Sequence, residues 1–379
     1  MKSMPVYRSV NSEYHVPVMR DLCCSYLLSE NYDNNKVFVD CTLGGGGHTK
    51  AILEKGCKVI AIDQDYDSIK LVSNKLSNYI EQNQLEIINT NFRNIKSAVA
   101  NSKLSDNGLV DGILMDLGIS SHQIDVPERG IYFFRGSLIK IIIFLKFIFN
   151  IGFAFSMDGP LDMRMQKETE VDSGITAAYI VNNYDEKTIA DILFNYGDEK
   201  CSRKLAREIV ACRPIYTTGK LVEVLSRVTP WKERTKMLAR CFQALRIEVN
   251  DEIGALEEAL NNSYKIVKPS GRLVIMSYHS LEDKRVKSLL KYGFPDEKYA
   301  SSSNFENPWN SLFKKAVIPS DEEITLNKRA RSAKLRVGER VSVGEELLAS
   351  NPYTGILESR KSKYTPGLVG EKQKNKFFS

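Results

Sequence analysis

Lys36–Lys50 reads KVFVDCTLGGGGHTK. An apolar run ends in a carboxylate, then in a glycine cluster, and a helix-compatible stretch, HTKAILEK (His48–Lys55), follows. A short apolar run that stops at glycines reads as a buried strand entering a turn. Glycines at that point let the backbone approach a ligand, and the next helix offers unpaired N–H groups. The same grammar repeats downstream. CKVIAIDQD (Cys57–Asp65) is a second buried strand ending in acids, and Tyr66–Glu81 follows as helix. LEIINTNF (Leu85–Phe92) and VDGILMDLGI (Val110–Ile119) are the third and fourth strands. Strands alternating with helices predict an α/β fold around a parallel sheet, with ligands at the carboxyl ends of its strands.

The glycine cluster discriminates between cofactors. A nicotinamide enzyme calls for G-x-G-x-x-G, yet the third glycine position is Thr49. With Asp40 the pattern is D-x-x-x-G-x-G, which resembles motif I of class I S-adenosylmethionine (SAM) methyltransferases. SAM has no pyrophosphate to seat on a helix N-terminus, so the third glycine is dispensable. A tight strand–helix turn without a ligand is the bland alternative. Asp63 closes the second strand, where a carboxylate accepts two ribose hydroxyls or simply caps the strand end.

Composition sets outer bounds. At 379 residues, two domains are expected. The net charge of +6 suits a polyanionic partner without demanding one. Seven scattered cysteines form no C-x-x-C pair, which argues against zinc and a disulfide framework and for a reducing compartment. No metal-ligand set is visible. The N-terminal MKSMPVYRSVNSEYHVPVM lacks an apolar segment, so it is no secretory signal, and it makes no clear transit peptide.

Further blocks make the resemblance specific. DGILMDLGISSHQID (Asp111–Asp125), ERG (Glu128–Gly130), DGPLDMRM (Asp158–Met165), FQALRIEVNDE (Phe242–Glu252), SYHSLEDKRVK (Ser277–Lys287) and RARSAKLRV (Arg329–Val337) occur in that order, after HVPVM (His15–Met19). Together they closely resemble the RsmH (MraW) family of small-subunit ribosomal RNA (cytosine-N4-)methyltransferases, from His15 to about residue 340. The resemblance implies a Rossmann-like class I SAM-dependent methyltransferase domain, residues 1–124 and 232–340, interrupted at 125–231 by a mainly helical RNA-recognition domain. A flexible basic tail is expected over 341–379. It implies SAM contacts at Gly46, Gly47, His48, Asp63, Phe92, Asp116 and Gln123. Asp116 is also the catalytic candidate, because a carboxylate accepting from an exocyclic amine localises its lone pair. Phe92 is otherwise an ordinary core phenylalanine. The implied substrate is small-subunit ribosomal RNA in an assembled or late-assembling subunit, with oligomeric state undetermined.

Several stretches stay open between roles. In SRKLAREIVACR (Ser202–Arg213), Leu205, Ile209 and Cys212 form an apolar stripe, while Arg203, Lys204 and Arg207 lie off it, as phosphate contacts or a solvated face. Phe242, Leu245, Val249, Ile253, Leu256 and Leu260 predict one long amphipathic helix that leaves Arg246, Glu248 and Asn250 free for other work. GRLVIMSYHS (Gly271–Ser280) is another buried strand, with His279 at its end as a ligand-side or structural histidine. NKRARSAKLR (Asn327–Arg336) is either a phosphate-binding segment or a terminal strand with a charged edge.

The block Ile131–Gly152 is foreign to its flanks. Without it the chain reads ERG-FAFSMDGPLDMRM, the family's uninterrupted pattern. A membrane helix needs roughly 18 consecutive apolar residues, whereas Arg135, Lys140, Lys146 and Asn150 break this one, so no membrane association is expected. The codons of Gly130-Ile131 admit an internal GT and those of Ile151-Gly152 an internal AG, the signature of a retained intron. On that reading the gene is eukaryotic and the product serves a mitochondrial or plastid ribosome. Otherwise the enzyme is bacterial and cytoplasmic. If 131–152 is a real loop that disrupts the site, the alternative is an inactive SAM- and RNA-binding ribosome-assembly protein.

Overall fold

A computed structural model describes residues 17–28, 33–118, 158–165, 174–299 and 305–344, together with Asn351, Tyr353, Gly355 and Leu357. Gln123, the block 131–152 and the boundary at residue 125 lie outside the described residues.

The strands are β1 (Val37–Asp40), β2 (Lys58–Asp63), β3 (Leu85–Asn89), β4 (Val110–Asp116), β5 (Val267–Ser277), β6 (Trp309–Ser311) and β7 (Lys334–Arg340). They form one seven-stranded sheet in the order β3-β2-β1-β4-β5-β7-β6. The first five strands are mutually parallel, and β7 runs antiparallel to both β5 and β6. This is the α/β, Rossmann-like architecture the strand–helix alternation predicts.

Alternation along each strand explains why both faces are covered. Val37, Val39, Ile60, Ile62, Ile113, Met115, Leu273 and Ile275 point into one core. Helices α5 (Ile95–Asn101), α11 (Glu252–Ile266) and α12 (Ser280–Tyr292) close that side. Phe38, Val59, Ala61, Leu114, Val274 and Met276 point into the other core, under α1 (Arg20–Leu28), α2 (Gly47–Leu53) and α3 (Tyr66–Lys75). Strands buried on both faces read as continuous apolar runs. A short α4 (Ser77–Glu81) follows α3, so the helix expected over Tyr66–Glu81 is two.

A third core belongs to helices alone: α6 (Ala177–Asn183), α7 (Glu186–Gly197), α8 (Ser202–Ala211), α9 (Thr218–Arg227) and the first part of α10 (Arg234–Asn250). Leu205 and Ile209 of α8 are buried there, while Arg203, Lys204 and Arg207 are exposed. α10 follows residue 232, the start of the second methyltransferase segment in the sequence division. Its Met237, Leu238, Cys241, Phe242 and Leu245 nonetheless pack with the helical unit.

Three further expectations are corrected. The helix predicted through Phe242–Leu260 is broken at Asp251, which takes φ 45° and ψ 45° and separates α10 from α11. Its carboxylate holds Arg93 at 2.6 Å. The apolar spacing survives the break, but Phe242 and Leu245 enter the helical core whereas Leu256 and Leu260 enter the sheet core. The terminal basic strand is not an edge, since β7 lies between β5 and β6 and Arg336 and Lys334 pair with Asp283. Finally, Asn351, Tyr353 and Leu357, assigned to a flexible tail, are buried. The Tyr353 hydroxyl donates to Glu257 at 2.7 Å, and a tyrosine that fills a core pocket and finds a partner docks even within a polar stretch.

Candidate functional site

Chain order sets where a ligand can enter. From β1 the chain builds outward through β2 and β3, then returns to β4 and β5 on the other side. Loops at the carboxyl ends of β1 and β4 therefore diverge, and a crevice opens between them. A cleft lies there. Cys41, Thr42 and Gly44 after β1, Asp63 and Gln64 after β2, and Thr90, Asn91 and Phe92 after β3 form its walls. Leu117 and Gly118 after β4, Met165, and Asn250, Glu252, Ile253 and Leu256 at the α10–α11 break complete them, with Ala255 and Glu282.

Asp63 is held in these walls by two backbone donors. Oδ2 accepts from the Gly44 N–H at 2.8 Å and Oδ1 from the Asp65 N–H at 2.9 Å. Gly44 has φ 47°, a turn that brings its amide onto the β2 end. Burial pushes the Asp63 carboxyl up to about 6, although both backbone donors pull the other way. Each oxygen keeps a free lone pair for a hydroxyl. Phe92 opens a 3-10 turn, half-buried against the sheet core and facing the cleft. Its partner in that wall, Asn91, donates to Gln64 Oε1 at 2.8 Å.

The glycine loop is built differently from its sequence reading. Gly46, at φ 73°, begins α2, and a Cβ there would lie 2.8 Å from Val72 Cγ1. A Cβ on Gly47 would lie 2.1 Å from Pro17 Cγ. Both glycines are thus required by the protein's own packing, and Gly44 is the loop glycine in the cleft wall. His48 is also behind the wall, 5% exposed, with Nε2 3.5 Å from Asp116 Oδ2. Asp116 ends β4, its N–H donating to Thr42 Oγ1 at 2.8 Å and its Oδ1 accepting from Gly118 at 3.3 Å. Among the expected contacts, the structure brings Asp63 and Phe92 to the cleft and pairs His48 with Asp116 beside it.

Sequence reasoning set Arg246 and Asn250 apart from the apolar stripe but missed the wall that α10 and α11 make. Arg246 and Glu252 form a bidentate pair at 2.6 and 2.8 Å across the Asp251 break. Burial works against the Arg246 charge, and Glu252 more than restores it. Asn250 donates to Met163 O at 2.9 Å and accepts from Met165 N–H at 2.8 Å. The segment Asp158–Met165 is thereby stretched between two units. Asp158 Oδ1 accepts from Gly219 N–H at the start of α9, Leu161 and Met163 are buried in the helical core, and Met165 reaches the cleft. The signal was present as Asn250-Asp251-Glu252, a polar trio inside an apolar periodicity. His279 proves structural: it caps α12 in a capping box with Glu282.

No helix among the described residues is long and apolar enough to cross a membrane. No group of three or more His, Cys, Asp or Glu among them is placed to hold a metal ion.

A sequence profile of the MraW methylase family matches residues 12–139 and 148–341. The profile is interrupted at 140–147, inside the apolar block. The chain is 39% identical over 339 residues to the ribosomal RNA small subunit methyltransferase H of Flavobacterium johnsoniae, covering 87% of this chain and 98% of that protein. It is 38% identical over 340 residues to the protein of that name from Bacteroides fragilis, covering 86% and 97%. It is 39% identical over 339 residues to the one from Mesoplasma florum, covering 86% and 99%.

Proposed function

Because the chain belongs to the MraW methylase family, we propose that it is a SAM-dependent enzyme that methylates the exocyclic N4 amine of a cytosine in small-subunit ribosomal RNA. The observation that carries the reading is the charge of the switch-point cleft. Its walls include the carboxylates of Asp63 and Glu282 and the Arg246-paired Glu252, and no lysine or arginine among the described lining residues. Such walls suit a cationic ligand with a ribose diol and repel the pyrophosphate of a dinucleotide. The residues present therefore fit SAM: Asp63 would take the ribose hydroxyls, Phe92 would face the adenine, and Gly46, Gly47, Asp116 and Gln123 complete the set proposed from the family resemblance, with the His48 side chain behind the wall.

Bound there, SAM supplies an electrophilic methyl group that departs from sulfur, leaving its electron pair behind, for the cytosine amine. The amine is a weak nucleophile because its lone pair is delocalised into the ring. Asp116 beside the cleft accepts an N–H, localises the pair and takes the proton that the methylated nitrogen sheds. Methylation at ring carbon five would instead need a cysteine thiolate to attack ring carbon six. Cys41 is the cysteine in the described cleft wall, and burial pushes its thiol well above the usual range. Direct transfer to nitrogen requires no such group.

The target base has to leave its stack to reach the cleft. The helical unit is the proposed RNA-recognition domain, supported by the exposed Arg203, Lys204 and Arg207 on one helix. We place the substrate in an assembled or late-assembling small subunit. The compartment follows the gene: an organellar ribosome if 131–152 is intronic, a bacterial one otherwise.

Nucleoside analysis of small-subunit RNA after incubation with enzyme and SAM tests the function. N4-methylcytidine is expected. Methylation at carbon five, or at another base, would overturn the reading.

A further inference from the structure

His48 is 5% exposed, and neither ring nitrogen has a hydrogen-bond partner among the described residues. Buried polar atoms are normally paired, so an unpaired imidazole behind an active-site wall requires an explanation. Two carboxylates flank it. Asp116 Oδ2, at the end of β4, stands 3.5 Å from Nε2, an ion-pair approach slightly longer than a hydrogen bond. Asp40, at the end of β1, is fully buried, and its oxygens are engaged by Thr42 N–H at 3.0 Å and Thr49 Oγ1 at 2.7 Å. Burial pushes the Asp40 carboxyl up and the facing His48 pulls it back. On α1, burial pushes the Cys23 thiol up, and the charges of Asp116, Glu323 and Asp40 add to it. Thr42 ties the strand ends together by accepting from Asp116 N–H at 2.8 Å.

We infer that His48 is a positioning residue for Asp116, donating from Nε2–H to hold the carboxylate in the orientation that accepts the proton of the amine. This rests on the proposed function. It moves His48 from a cofactor contact to the support of the proton acceptor, in keeping with its place behind the cleft wall. When the amine nitrogen has gained its bond to carbon, it loses one proton to the Asp116 carboxylate, and the resulting acid returns that proton to solvent. Asp40 stays bonded to Thr42 and Thr49 and does not exchange the proton.

Two measurements on the full chain decide this. The first is a proton–nitrogen NMR measurement of ring tautomers in the ligand-free protein, whose four histidines are assigned by single replacement. His48 is expected to carry its proton on Nε2, and its ring resonances to shift on Asp116→Asn. A proton on Nδ1 alone, or resonances unmoved by the replacement, overturns the pairing. The second separates kcat from cofactor affinity. His48→Ala is expected to lower kcat about a hundredfold, within the usual range for acid–base contributions, with little change in the calorimetric Kd for SAM. His48→Gln keeps a donor at the position of Nε2 and is expected to restore most of kcat. Parallel loss of kcat and SAM affinity in the alanine variant, or a glutamine variant as impaired as alanine, overturns the inference. Absence of methyl transfer by the parent would instead defeat the functional reading, while the tautomer measurement still decides the His48–Asp116 pairing.

Discussion

Asn250 Oδ1 accepts the Met165 N–H at 2.8 Å, joining residues 85 positions apart at the wall of the cleft. The same side chain donates to Met163 O at 2.9 Å and to Arg246 O at 2.8 Å. Met165 in turn lies 3.3 Å from Gln64 Nε2, beside Asp63. One amide therefore fastens the Asp158–Met165 segment to the helix break that forms the opposite wall.

Asn250→Ala should cost about 1–3 kcal/mol, the range for leaving buried hydrogen-bonding groups unpaired, and should weaken SAM binding because Met165 is released. Asn250→Asp keeps the acceptor for Met165 and loses the donors, so it should fall between alanine and the parent. Denaturant unfolding and calorimetry on both variants check the order.

Asp63 makes cofactor binding pH-dependent. Its folded carboxyl, pushed up to about 6 by burial, binds a proton more tightly than the unfolded group at 3.8. The stability due to this group in the ligand-free protein is therefore present below 3.8 and is lost as the pH rises through 6. A ligand that needs the ionised form behaves in the opposite sense. SAM affinity should be level above about pH 7 and fall toward tenfold per unit below 6. Calorimetry from pH 5 to 8 checks this, and Asp63→Asn should lower affinity while removing the slope.

Arg246 and Glu252 test whether a buried pair serves stability or the site. Glu252→Gln leaves the guanidinium uncompensated and should cost about 3–5 kcal/mol. Replacing both, as Arg246→Met with Glu252→Leu, should recover stability, since an apolar pair of similar volume is tolerated. It should not recover SAM affinity, because Glu252 is part of the cleft wall. Thermal unfolding and binding measured on the same samples separate the two effects.

Tyr353 lies beyond residue 341, where the family profile ends, yet its side chain is fully buried and its hydroxyl holds Glu257 Oε2 at 2.7 Å. Glu257 Oε1 also accepts from Arg285 Nε at 3.1 Å. Tyr353→Phe should cost about 1–3 kcal/mol by leaving a buried carboxylate oxygen short of a donor. Tyr353→Ala should cost more by adding a cavity. Urea midpoints give the comparison.

The sheet was legible because parallel strands buried on both faces leave apolar runs such as Val37–Val39 and Val59–Ile62, each closing on an acid. Asp63 follows from that register, since residues at strand ends face the crevice, whereas Phe92 was singled out by the family resemblance. The wall around Asn250 and Glu252 was not legible, because an αL residue at Asp251 turns the helix without disturbing its apolar spacing. Gly46 and Gly47 were visible as glycines, but their contacts with Val72 and Pro17 come from elements far away in sequence. Likewise, a charged strand reveals its composition, not that β6 will cover its outer edge. Tyr353 was obscured by the polar residues around it.

The most direct test is labelled methyl transfer from SAM to small ribosomal subunits that lack the mark, comparing the full chain with one from which Ile131–Gly152 is deleted. The account predicts N4-methylcytidine from the deleted chain, and its appearance with the full chain as well would identify the block as a tolerated loop. SAM bound without transfer by either chain would contradict it and identify a binding protein instead.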